Sequence, residues 1–166
     1  VRKHSRDAQE ALGEAGMVME ESVQGIADVK AFSNEAFERS RYDRALEYYL
    51  QAVALHRATG NRFDEGQTLA NVAIVYHQTG RYDRALTYYG QALAIHKEVK
   101  NRTGEGIVLN NMGIAFTDMG RDEAAIESLE QALAIAREVK RRGGEANSLQ
   151  NLGNAHRNLK RYEQAL

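Results

Sequence analysis

"RYDRALTYYGQALAIHKEVKNRTGEG" spans residues 81–106, and near-copies of it begin forty residues earlier and forty residues later. The earlier copy, "RYDRALEYYLQAVALHRATGNRFDEG", starts at 41, and the later one, "RDEAAIESLEQALAIAREVKRRGGEA", starts at 121. A fourth begins at 161 as "RYEQAL". The stretches between them also correspond: "LANVAIVYHQTG" at 69–80, "LNNMGIAFTDMG" at 109–120 and "LQNLGNAHRNLK" at 149–160. A fixed period of this size is the mark of a repeat architecture.

Each unit reads as two helices. The first is expected over 64–79, where Leu69, Val72, Ala73 and Tyr76 recur with helical rather than alternating spacing. The second is expected over 83–99, with Ala85, Leu86, Tyr89, Ala92, Leu93 and Val99 as its apolar stripe. Gly80 and Gly120 stand where a left-handed residue closes the first helix. Lys160 takes that place in the last copy, so that turn is either weakened or not left-handed. Small residues (Ala73, Gly113, Ala85, Ala92, Ala125 and Ala132) allow close approach of the helix axes. A single pair cannot bury both faces, whereas stacked pairs can. The fold class is therefore all-α: stacked antiparallel helical hairpins in a solenoid.

Composition agrees. Hydrophobic residues are 43% of the 166, proline is absent, and a chain this long would ordinarily carry about eight. Proline breaks interior helical turns, so its absence favours unbroken helix. Lys and Arg number 22 against 23 Asp and Glu, a net charge of -1, which gives no basic surface for nucleic acid. Arg137, Lys140, Arg141 and Arg142 read as a solvated helix end. No apolar run is long enough to span a membrane, and no signal-peptide pattern is seen, so direct membrane insertion is not expected and a cytoplasmic location is. With no cysteine there is no disulfide framework.

The repeat resembles the tetratricopeptide repeat. Leu69, Val72, Ala73, Tyr76, Ala85, Tyr89 and Ala92 match its consensus positions, as do Leu109, Met112, Gly113, Phe116, Ala125, Leu129 and Ala132, and then Leu149, Leu152, Gly153 and His156. The forty-residue unit with "LNNMG" is similar to the longer repeats of kinesin light chain and of the Leu-Gly-Asn repeat proteins. The resemblance covers residues 41–166 and implies a right-handed superhelix whose concave face, lined by the first helix of each unit, binds an extended peptide or protein segment. Carried over residue by residue, it gives Gln67, Asn71, His77, Gln78, Asn110, Asn111, Ile114, Asp118, Gln150, Asn151, Asn154 and Arg157 as candidate peptide-binding residues, with Ala70, Ile74, Ile107, Thr117, Asn147 and Asn158 beside them. The column Asn71, Asn111, Asn151 is not selected by helix propensity. Its amides offer both donor and acceptor, suited either to a ligand backbone or to bonds between adjacent helices. Arg157 is the only clear positive charge in the set and Asp118 opposes it, so a neutral or mixed ligand is expected.

Other candidates fall away. His56 and His96 lie one repeat apart, about 10 Å for packed helices, too far to share a zinc ion. They read as histidines at the core edge. Tyr49 and Tyr89 read as core, and Tyr48 and Tyr88 as the edge of the contact between repeats. No phosphate-binding loop and no nucleophile–base arrangement is present, so neither catalysis nor a cofactor or metal is expected.

Residues 1–40 break the repeat. Ala8, Leu12, Ala15, Met19, Ile26 and Val29 still form much of one helical stripe, expected to cover the first repeat. "EALGEAGMVMEESVQGIADVKAFSNEAFERSRYDRAL" resembles the cytoplasmic helical extension of ATP-binding-cassette exporter transmembrane domains, through Glu20, Glu21, Gly25, Ile26, Val29, Lys30, Ala31, Phe32 and Glu35. In that family the region couples the membrane bundle to the nucleotide-binding domains. A fusion-derived segment and a divergent capping hairpin are both open. The readings are thus a binding scaffold, a self-associating or engineered scaffold, or a regulatory module of a transport complex. Exposed terminal helices also suit a homo-oligomer.

Overall fold

The protein is described by a computed structural model covering residues 12–13, 16–17 and 35–165. Its main body consists of six helices: α1 (Glu35–Thr59), α2 (Arg62–Gln78), α3 (Tyr82–Glu98), α4 (Arg102–Asp118), α5 (Asp122–Glu138) and α6 (Arg142–Ala165). Consecutive helices pack on each other, α2 also meets α4, and α4 meets α6. The result is the all-α stack of hairpins that the forty-residue period predicts.

The expected stripes form the core. Leu69, Val72, Ala73 and Tyr76 of α2 are buried, as are Ala85, Tyr89 and Ala92 of α3. Tyr49 is buried with them, while Tyr48 and Tyr88 are half-buried at the core's margin, and the Tyr88 ring stacks on Tyr76 with centroids 5.3 Å apart. The small residues are needed for contact. A Cβ added at Gly113 would lie 2.7 Å from Cδ2 of Leu129 and 3.3 Å from the Ala125 carbonyl oxygen.

Gly80 and Gly120 close α2 and α4 with φ of 71° and 70°. A side chain is strained in that region, and glycine is not. The two other members of the column differ. Ser40 lies inside α1, and α6 runs unbroken through Lys160. The backbone at 160 is therefore not left-handed, and α6 continues into "RYEQA" instead of turning back. At the other end α1 begins at Glu35, six residues ahead of the "RYDRAL" string.

Asn61 and Asn101 cap α2 and α4, each side-chain oxygen accepting from a backbone N–H three residues on. Ionic bridges then link neighbouring helices at the same register. Arg62 bonds Glu98 at 2.6 Å and also reaches Glu65; Arg102 repeats the pattern with Glu138 and with Glu105 at 2.6 Å. These bonds hold the Glu98 and Glu138 carboxyls below the usual carboxylate range.

Of the N-terminal stripe, only Leu12 falls among the described residues, and it packs against the core cluster of the first hairpins. Ala8, Ala15, Met19, Ile26 and Val29 lie outside them. On α6, Leu149 is 48% exposed, although its counterparts Leu69 and Leu109 are 1% and 5% exposed.

Candidate functional site

The face made by α2, α4 and α6 carries two adjoining cavities. The first, of about 280 Å3, lies between α2 and α4 and is lined by Gln67, Ala70, Asn71, Ile74, Ile107, Val108 and Asn111, with His96 of α3 behind them. The second, of about 150 Å3, lies between α4 and α6 and is lined by Asn110, Asn147 and Ser148, with Ala132, Ile135 and Ala136 of α5 behind. Ile107 and Asn111 border both.

The two cavities are the same place in successive repeats. Ala70, Asn71, His96, Gly104, Ile107 and Val108 in the first correspond to Asn110, Asn111, Ala136, Gly144, Asn147 and Ser148 in the second. The substitutions reverse the chemistry. The first has aliphatic walls and a histidine behind, whereas the second has an aliphatic back, a polar rim and Arg141 at its edge.

The asparagine column divides in two. Asn151 Nδ2 donates to Asn110 Oδ1 at 3.1 Å, and Ser148 Oγ donates to the same oxygen at 3.4 Å, which ties α6 to α4. Asn71 and Asn111 are half-buried and make no side-chain hydrogen bond among the described residues. The remaining expected residues scatter. His77 Nε2 and Asp118 Oδ2 are 2.7 Å apart and bridge the last turns of α2 and α4. Arg157 donates to Asn154 within α6 at 3.1 Å. Ile114 is half-buried, Gln78 and Gln150 are exposed, and none of the three borders either cavity.

Sequence reasoning read His96 as a histidine at the core edge and did not place it in the site. It is 2% exposed yet borders the first cavity. Gly104 makes room for it, because a Cβ there would lie 2.7 Å from the ring. Burial lowers its pKa from 6.5, partly opposed by the Glu105 carboxylate. The unfolded chain takes up a proton near 6.5 that the folded one refuses, so stability is full above that pH and declines as the pH falls below it. Urea midpoints measured from pH 7.5 down to 5.5 should fall, and His96→Phe should flatten the decline. An equal slope in the variant would assign the decline to other groups.

No helix among the described residues is long and apolar enough to cross a membrane. The ABC transporter transmembrane region profile matches residues 1–60. No curated protein gives a match. Solved structures similar to this chain include BtubC (BKLC) from P. vanneervenii, with a TM-score of 0.66 and 18% identity over 99% of this chain and 84% of that one. The Sgt2 TPR domain from Aspergillus fumigatus gives 0.57 and 18% identity over 91% and 82%. The Podosopora anserina putative kinesin light chain nearly identical TPR-like repeats give 0.59 and 16% over 99% and 87%. The tetratricopeptide repeat profile matches residues 36–98 and 104–166, most of the chain and every helix of the stack. Such repeats act generally as protein–protein interaction scaffolds, and the chain belongs to the tetratricopeptide repeat family.

Proposed function

We propose that this protein binds an extended peptide or protein segment along the concave face formed by α2, α4 and α6, as a non-enzymatic scaffold in the cytoplasm. The observation that carries this reading is the pair of uncommitted amides, Asn71 and Asn111, set at the rims of two adjoining cavities. A half-buried amide with no internal partner is a ready donor and acceptor for a ligand backbone. Neighbouring cavities then accept side chains from the same strand. On this face Asp118 bonds His77 and Arg157 bonds Asn154, so no one sign of charge dominates, which favours a neutral or mixed ligand.

The two kinds of asparagine should separate on mutation. In a peptide-array search followed by titration of the best binder, Asn111→Ala should weaken affinity about tenfold, the equivalent of one good hydrogen bond. Its melting temperature should stay close to that of the parent. Asn151→Ala should instead cost about 1 kcal/mol of stability, since it removes a bond between helices. Undiminished binding by Asn71→Ala and Asn111→Ala proteins would sink the reading.

A second reading, a regulatory module of a membrane transport complex, is supported by the transporter-type match over residues 1–60. That match shares residues 36–60 with the repeat match, so one helix, α1, answers to both descriptions.

A further inference from the structure

The first cavity has His96 where its copy one repeat on has Ala136, and the hydrogen bonds around the ring assign its tautomer. Asn101 Oδ1 accepts from the Gly104 backbone N–H at 3.0 Å. A backbone N–H can only donate, so the amide oxygen must face it and the amide nitrogen must face the other way. That nitrogen lies 3.3 Å from His96 Nδ1. It has only hydrogens to offer, so Nδ1 accepts, and the neutral ring carries its proton on Nε2. Burial favours the neutral ring. The Nε2–H has no partner among the described residues. The ring is 2% exposed and borders the 280 Å3 cavity.

The other members of this column do not share the arrangement. His56 also has an unpartnered Nε2, but it borders neither cavity, and the amide nitrogen of Asn61 is turned to Asp64 at 2.6 Å. The third member is Ala136.

An occupant must therefore pair an aliphatic-compatible body with an acceptor at its tip. Ala70, Ile74, Ile107 and Val108 supply the walls. A carboxylate would lose its hydration against them. Phenylalanine would fill the space and leave the donor it covers unmet. Tyrosine meets both demands, with a rigid apolar ring and a hydroxyl that accepts at one side while donating to a rim amide at the other.

We propose that the cavity between α2 and α4 is a subsite for a tyrosine side chain of the bound segment, with His96 Nε2–H donating to the phenolic oxygen. This rests on the concave-face reading for its extended ligand, but it can be tested without one. The probes are p-cresol and toluene, titrated separately into the uniformly nitrogen-15-labelled full chain. Before addition, the imidazole nitrogen pattern of His96 should show the proton on Nε2. On addition, p-cresol should shift that nitrogen saturably and bind about tenfold more tightly than toluene, as expected when one probe leaves a buried donor unpaired. In His96→Phe, checked for helical content by circular dichroism, the preference should vanish. Should that variant not fold, the parent titration decides alone. A proton on Nδ1, equal affinities for the two probes, or a preference that survives in His96→Phe would overturn the proposal. Peptides that bind in an Asn111-dependent way without any tyrosine would remove the subsite and leave the groove. Selective p-cresol binding with no peptide bound would do the reverse.

Discussion

Gly113→Ala is expected to lower stability by about 2 kcal/mol and Leu129→Ala by about 3 kcal/mol, while the double variant loses clearly less than the sum. The two residues occupy one contact. The α4 backbone at Gly113 rests directly on the Leu129 side chain, which is fully buried on α5. An added methyl has nowhere to go, because the Ala125 carbonyl closes the other side at 3.3 Å. Shortening Leu129 opens a cavity, and the Gly113 methyl then has that space to enter. The preceding repeat holds Ala73 at the equivalent position, fully buried without a glycine, so the demand for no side chain belongs to this pairing and not to the column. Urea denaturation of the four proteins checks it. Strict additivity would show that the two sites do not share the space.

Removing Arg57 and Arg62 together should lower the urea midpoint clearly, and Glu65→Gln in that background should recover a substantial part. The Glu65 side chain is 2% exposed and answers to both cations, with Arg57 Nε 2.7 Å from one carboxylate oxygen and Arg62 Nη1 bonded to the other. The arginines are themselves 56% and 40% exposed, so the direct attraction is screened. The larger effect is the carboxylate left in the core with neither partner. Gln relieves the charge while keeping the shape. No recovery in the triple variant would mean that the arginines stabilise through their aliphatic stems and not through Glu65.

The stack of hairpins was legible because it depends on residues within one forty-residue unit. Leu69, Val72, Ala73 and Tyr76 declare a helix face by spacing alone, and Gly80 and Gly120 mark the turns because the left-handed geometry there strains any other residue. The site was legible only as a face. The asparagine column looked uniform, yet its members meet different neighbours one repeat back. Asn151 finds Asn110, whereas the counterpart of Asn110 facing Asn111 is Ala70, which has no acceptor side chain. Reading that required the offset between columns on α4 and α6, and single-column spacing does not contain it. His96 was hidden for a related reason. Its burial is visible from its place on the apolar stripe of α3, but the space beside it is enclosed by α2 and α4, which approach from either side in the chain.

The glycine column also bears on how such a protein can change its length. Where the column holds glycine the path reverses, and where it holds Ser40 or Lys160 the rod runs straight on. A forty-residue segment such as 81–120 therefore carries its own punctuation, together with its half of the bridge to the next unit, Arg102. Copied in tandem, it would arrive in phase, with its turns and bridges in register, so this architecture can grow by whole cassettes whose one adjustment is at the junction, where Gly113 would meet Tyr89 in place of Leu129.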